Sequence, residues 1–326
     1  RTWIACGVWL RLAVTTFFGV IGCSNQARAE EISVTLWGTF LYGAPFAVAI
    51  ENGYFKEEGV DITGVLSSKG GGTTVRNILA GGLPYGEVSL AAAVHAANEG
   101  IAIKIVNSGV PTTADMLWVT MPDSPLKGIA DLAGKKIAYT TPKSVTDMLA
   151  IMVLDSKGLS GSVERVSLGG VGPALTALEQ GFVAAAPIWE PLWSARSGRY
   201  KPLFYVKDLL LPVQQSVGIV TTEFALSKPG IVKAIVVGRA RGVDFIYAHP
   251  KEAAAIVARQ YNADPGQIES AILALVRINY WSRGEFNYEA MDRLVAGMRI
   301  VGDLHGKVDW TALVDASFLP AATETK

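Results

Sequence analysis

The amino-acid sequence predicts an α/β protein of two lobes, each a mixed, mainly parallel sheet flanked by helices. Three observations carry that expectation. Short β-rich runs alternate with helical stretches from position 32 onward, the pattern of strand and helix units that build largely parallel sheets. The chain has 326 residues, enough for two ordinary domains that each bury a core. Two stretches, 121–125 and 215–222, interrupt the series where the chain can pass between lobes.

In order along the chain, a first strand is expected at 32–37, a helix over 46–52 that stops at Gly53, and a second strand at 60–66. Gly70-Gly71-Gly72 leads into a helix over 73–80, where Val75, Ile78 and Leu79 share a face. Strands follow at 88–91, 101–107 and 117–121. Met121-Pro122-Asp123-Ser124-Pro125 then sets two prolines close together, and a new series begins after it, so the first crossing is expected there. That series has a strand at 137–140, a loop through Thr141 and Ser144, and a helix over 145–157 with Val145, Met148, Leu149 and Met152 on one face. Gly158 is its C-terminal stop. Strands at 163–168 and 182–189 flank a helix at 173–180. The segment 216–222 is expected to return the chain, and helices follow at 230–248, 251–261, 265–278 and 288–301. The expected division is a leader over 1–29, a first lobe of 30–121 and 216–326, and a second lobe of 122–215. Ligands of such folds lie in the cleft between lobes, at strand C-termini and helix N-termini.

Basic and acidic residues balance at 29 each, so the chain lacks the positive excess that a nucleic-acid backbone demands. Residues 1–29 read as a secretory signal peptide: Arg1 and Arg11, an apolar run over 12–22, no acid before Glu30, and small residues in Ala27-Arg28-Ala29 for cleavage before Glu30. The run is shorter than the ~20 residues of a membrane span. Val20-Ile21-Gly22-Cys23 offers an alternative, a lipoprotein anchored through Cys23. Cys6 and Cys23 are the two cysteines, so a chain starting at Glu30 has no thiol for a disulfide, a metal or a nucleophile. His95, His249 and His305 are scattered without zinc spacing, and no Gly-x-Ser-x-Gly elbow is present. The sequence therefore points to no catalytic residue, metal or cofactor.

Three segments carry a resemblance. Gly53-Tyr54-Phe55-Lys56-Glu57-Glu58-Gly59-Val60-Asp61 resembles a signature near the start of periplasmic binding proteins for nitrate, aliphatic sulfonates, taurine and the pyrimidine precursor of thiamine. Ile129-Ala130-Asp131-Leu132-Ala133-Gly134-Lys135-Lys136-Ile137 and Ala186-Pro187-Ile188-Trp189-Glu190-Pro191 resemble later segments of the same family, in the same order. The resemblance implies a type II periplasmic binding protein fold, hinge closure on a small-molecule ligand, an ABC permease and ATPase as partners, a periplasmic location and a monomer. It leaves the solute open, with a small planar or anionic organic molecule expected from the polar helix starts and strand-end aromatics, and an enzyme acting on a small heterocycle or a receptor feeding a sensor as the alternatives. A eukaryotic branch of the superfamily is enzymatic and uses a cysteine-rich motif with histidines, which this sequence lacks.

Ser144-Val145-Thr146-Asp147 reads as a helix cap, and Ser144 and Thr141 can equally hold a polar or anionic ligand group at that helix start. Gly70-Gly71-Gly72-Thr73-Thr74 can cradle an anion on backbone N–H groups or serve as a plain loop with a cap; it lacks the ending of a nucleotide-binding loop. Gly169-Gly170-Val171-Gly172-Pro173 is read as cleft wall in the second lobe. Trp37, Tyr42, Trp118 and Trp189 fall at strand ends, where an aromatic either joins the core or stacks on a ligand. Trp193, Trp281 and Trp310 are read as packing residues. Glu190 can meet a ligand N–H or a structural partner. The expected ligand contacts are Trp37, Tyr42, Gly72, Thr73, Thr74, Ser89, Thr141, Ser144, Val145, Trp189 and Glu190.

Overall fold

A computed structural model describes residues 28–321 together with Thr2. Arg1 and Arg11, the apolar run and both cysteines of the expected leader lie outside these residues. Arg28 and Ala29 are described, and they open β1 (Arg28–Thr35), in register with Val60 and Asp61.

The first part of the chain continues through α1 (Ala44–Glu51), α2 (Tyr54–Glu57), β2 (Val60–Ser68), α3 (Gly71–Gly81), β3 (Gly86–Ser89), α4 (Leu90–Asn98) and β4 (Ile103–Val110). Ile32 and Val34 on one face of β1, and Ser33 and Thr35 on the other, are all buried, as befits a strand covered on both faces. The second part holds β5 (Leu117–Thr120), β6 (Lys136–Tyr139), α5 (Val145–Asp155), β7 (Glu164–Ser167), α6 (Val171–Glu179), β8 (Ala186–Ile188), α7 (Leu192–Arg196) and β9 (Lys201–Tyr205). The chain then returns with β10 (Ser216–Thr221) and ends in α8 (Thr222–Ser227), α9 (Pro229–Ala248), α10 (Pro250–Tyr261), α11 (Pro265–Val276), α12 (Tyr288–Ile300) and α13 (Trp310–Leu313).

Two mixed sheets result. The first has the order β2-β1-β3-β10-β4, with β1 parallel to β2 and β3, and β10 antiparallel to β3 and β4. In the second, β5 runs antiparallel between β8 and β9, β6 is parallel to β7, and a parallel bridge from Ile137 to Ala185 joins the two pieces. The antiparallel members are the strands by which the chain enters the second lobe and comes back.

Both expected crossings move. Leu117–Thr120, assigned from sequence to the first lobe, pairs with β8 and β9, so the chain has already crossed over 111–116. Pro122 and Pro125 mark a loop inside the second lobe, where a residue without an N–H ends the β5 ladder. The segment 216–222 is not a connector but β10 and the start of α8; the return path is 206–215.

The last helices do not stay on one lobe. α9 lies on α1 and α2 at close quarters: a Cβ at Gly238 would stand 2.4 Å from the Phe55 ring, and one at Gly242 would meet the Pro45 carbonyl oxygen at 2.2 Å. α12 packs against both α4 and α5, and a Cβ at Gly297 would be 2.8 Å from Met152 Sδ. A single apolar cluster therefore runs from Ile105, Val217 and Ile219 of the first sheet, through Met291 and Met148, to Trp118 and Ile137 of the second.

Candidate functional site

The helix starts that follow β2, β3 and β6 face one another across a cavity of about 750 Å³ between the two sheets. On the first-lobe side, α3 begins at Gly71 with Gly70 as its N-cap, and no side chain caps it. Its opening turn thus keeps backbone donors and the positive end of the helix dipole for another group. The turn is fixed in place: Thr74 Oγ1 bonds to Thr35 Oγ1 (2.7 Å) and Ser68 Oγ (2.5 Å), tying α3 to β1 and β2. Glycine is required here by close approach, because a Cβ at Gly71 would sit 2.4 Å from that of Ala92 on α4. Lys69 and Arg76 line the same wall, and Arg76 donates to Thr73 Oγ1 at 2.8 Å. Ser89 lines it too and caps α4, accepting from the Ala92 N–H at 3.2 Å.

The facing helix start, α5, is answered from within. Ser144 Oγ accepts from the Asp147 N–H (3.2 Å), and the hydroxyls of Thr140, Ser144 and Thr146 form a closed ring of contacts at 2.8–3.1 Å. Asp147 accepts from the Lys143 N–H at 2.9 Å and is ion-paired with Arg165. Its carboxylate stands against the same dipole that a ligand anion would use.

Aromatic rings close one end. Phe40 of the first lobe stacks on Trp189 of the second, with centroids 5.0 Å apart and planes at 28°, and Tyr42 stacks beyond Phe40 at 6.4 Å. Burial, and then the Glu87 carboxylate, push the Tyr42 phenol well above its usual range. Ser216 and Gln215 line the floor, beside Met116 from the first crossing. Behind Ser216 lies a buried ion pair: Glu87 accepts from Ser216 Oγ (2.8 Å), Tyr85 OH (3.0 Å) and Arg239 Nε (3.2 Å), while Arg239 also donates to the carbonyls of Ser282 and Gly109. Asp115, in the first crossing, accepts from Gln215 Nε2 (3.2 Å) in the second, and its other oxygen is buried with no hydrogen-bond partner. Burial, and then the Glu190 carboxylate, raise its pKa to about 7.

Of the expected contacts, Tyr42, Gly72, Ser89, Thr141, Ser144, Val145 and Trp189 line this cavity. Four do not. Trp37 packs edge-on against Tyr261 at 4.9 Å, Thr73 is held by Arg76, Thr74 is consumed in the hydroxyl link to β1, and Glu190 turns back to accept from Ser194 N (3.0 Å) and Oγ (2.9 Å). Burial raises the Glu190 pKa, and neither of its oxygens reaches the cavity wall. Trp118 is a core residue, donating to the Ala138 carbonyl and stacked on Phe204. The Gly169–Pro173 run starts α6 away from the cavity lining, so it is not cleft wall. Sequence reasoning missed Phe40, Lys69, Arg76, His95, Gln215 and Asp303. Phe40 and Lys69 adjoin segments already singled out; Asp303 comes from a turn some 200 positions beyond α4, with no motif to mark it.

Among the described residues, no cluster of His, Cys, Asp and Glu has the arrangement of a metal site, and no helix is long and apolar enough to cross a membrane. The sequence profile described as NMT1/THI5 like matches residues 41–253, and the chain belongs to that family. No curated protein matches closely enough to count as a relative. Among solved structures, the chain is similar to the periplasmic aliphatic sulphonate binding protein SsuA of Escherichia coli, with 18% identity over 87% of this chain and 91% of that one, and a TM-score of 0.72. It is similar also to the alkanesulfonate-binding protein SsuA of Xanthomonas axonopodis pv. citri, bound to MOPS (17%, 89% and 98%, TM-score 0.69). A third is the periplasmic nitrate-binding protein NrtA of Synechocystis PCC 6803 (14%, 89% and 86%, TM-score 0.65). These likenesses establish a periplasmic binding protein fold for the chain.

Proposed function

We propose that this NMT1/THI5-like chain is the extracytoplasmic solute-binding receptor of an ABC import system. It takes up a small anionic organic solute between its lobes and leaves it chemically unchanged. One observation carries the reading: the two-lobed cavity joins an uncapped helix start with Lys69 and Arg76 at one wall to the Phe40 and Trp189 rings at another. That pairing suits a ligand with an anionic head and a planar or apolar body. Its fold neighbours include proteins whose names give nitrate, aliphatic sulphonates and alkanesulfonates as ligands. A permease and an ATPase are the partners this role requires, and export through the leader at 1–29 is the route it implies.

The α3 wall is the anion subsite in this reading. The α5 start supplies its dipole to Asp147 and its cap to Ser144, so it contributes shape more than charge. Isothermal titration with nitrate, taurine, ethanesulfonate and MOPS tests the proposal. At least one is expected to bind saturably with one site per chain, and Trp189→Ala is expected to weaken it by about 1 kcal/mol, several-fold in affinity. Failure of all four anions, with a cationic or neutral solute binding instead, would contradict the anionic preference.

A further inference from the structure

The floor of the cavity carries two buried polar side chains, Gln215 and Ser216, and both have committed their hydrogens to the protein. Ser216 Oγ donates to Glu87 Oε1 at 2.8 Å. Glu87 is the carboxylate partner of the buried Arg239, and a carboxylate so paired can only accept, so the Ser216 hydroxyl proton is fixed on that bond. Gln215 Nε2 donates to the Thr112 carbonyl (3.1 Å) and to Asp115 Oδ1 (3.2 Å), which occupies both of its hydrogens. What the two groups have left to offer a solute is lone pairs.

The arrangement is locked from behind. A Cβ at Gly109 would stand 2.1 Å from Glu87 Oε1 and 2.4 Å from Ser216 Oγ, so β4 passes directly against this bond and glycine leaves the room for it. Tyr85 OH and Arg239 Nε hold Glu87 Oε2 at 3.0 and 3.2 Å. Turning the Ser216 proton toward the cavity would take a donor away from a buried carboxylate.

The α3 wall has the opposite polarity, because its uncapped N–H groups, Lys69 and Arg76 call for an acceptor. The two polarities adjoin. Ser89 lies opposite Ser216 in the β3–β10 ladder, about 5 Å away, and a Cβ on Gly71 at the head of α3 would be 3.4 Å from Ser89 Oγ.

We propose that the floor selects for a hydrogen-bond donor: the solute carries, about one strand spacing (~5 Å) from its anionic head, an amine, hydroxyl or ring N–H that meets Ser216 Oγ and Gln215 Oε1. Glu87 is the positioning residue that sets this preference through Ser216. The inference rests on the anionic reading above and narrows it. A plain anion sets its own lone pairs against those of the floor, whereas a solute with both groups satisfies both walls. A buried acceptor left without a donor penalises the wrong solute more than a misfit in size does.

Isothermal titration of the full chain with two matched sets tests this: ethanesulfonate, taurine and isethionate, then propionate, β-alanine and 3-hydroxypropionate. In at least one set a donor-bearing member should bind about tenfold or more tighter than its donorless parent, and the comparison of amine with hydroxyl separates a charged from a neutral donor. Ser216→Ala should shrink that ratio several-fold. Melting curves establish that the variant is folded; if it is not, Ser216→Cys, whose sulfur is a weak acceptor, supplies the same comparison. Parents that bind as tightly as their donor-bearing partners, or a ratio unchanged in the folded variant, would overturn the inference and leave the anionic reading standing. Binding by no member of either set would overturn both.

Discussion

Asp115 occupies the first crossing between lobes, accepts from Gln215 of the second crossing, and keeps one oxygen without a hydrogen bond. Burial, with Glu190 nearby, lifts its pKa to about 7, above the ~3.9 of an unfolded chain. The folded state thus holds a proton that the unfolded state has released. Its contribution is fully present below about pH 4 and is lost as pH rises through about 7. Asp115→Asn cannot ionise, so it should raise the melting temperature relative to wild type at pH 8, with that advantage gone at pH 4. A constant difference between the two melting curves across this range would contradict the assignment. Nothing in the sequence marks this residue, since its raised pKa comes first from burial by tertiary packing and then from Glu190, distant in the chain. Tyr42 and Trp189 were legible because they follow strand ends; Trp37, in the same kind of position, faces Tyr261 instead. Strand-end position brings a ring close to the cleft, and the direction of its side chain then follows from the packing around it.

Helices α3 and α5 look alike in sequence, each beginning with small or hydroxyl residues after a strand, and the structure divides their roles. α3 has no side-chain cap and two cations beside it; α5 has Ser144, Asp147 and Arg165. Ser144→Ala should therefore lower stability by ~1 kcal/mol, the loss of a helix cap, and change solute affinity little. Calorimetry beside thermal melts separates the two, and a large fall in affinity at unchanged stability would return Ser144 to the list of ligand contacts. Helices with strong start signals were legible to within two residues: Pro229, Pro250 and Pro265 open α9, α10 and α11 in the first turn, where a missing N–H costs nothing. The sheet membership of β5 was not legible. Its four residues are buried on both faces, so no alternation marks which neighbour it takes, and the prolines after it imitate a lobe boundary.

At the scale of the whole molecule, two mixed sheets, two crossings and a set of C-terminal helices surround the cavity between the lobes. The two-lobed α/β architecture was readable from the strand and helix alternation and from length. The way α12 straddles both lobes was not, because Gly297, Met148 and Met152 become neighbours through tertiary packing alone. That packing also brings Asp303 to the cavity, which makes the cleft a product of both ends of the chain. The central claim is that this cleft holds one small solute and performs no chemistry on it. Native mass spectrometry of protein isolated from a bacterial periplasm tests this most directly, with the bound material identified at once and again after prolonged incubation. One small anionic molecule per chain, recovered at unchanged mass, is the expected result; recovery of a chemically altered product that accumulates with time would contradict it.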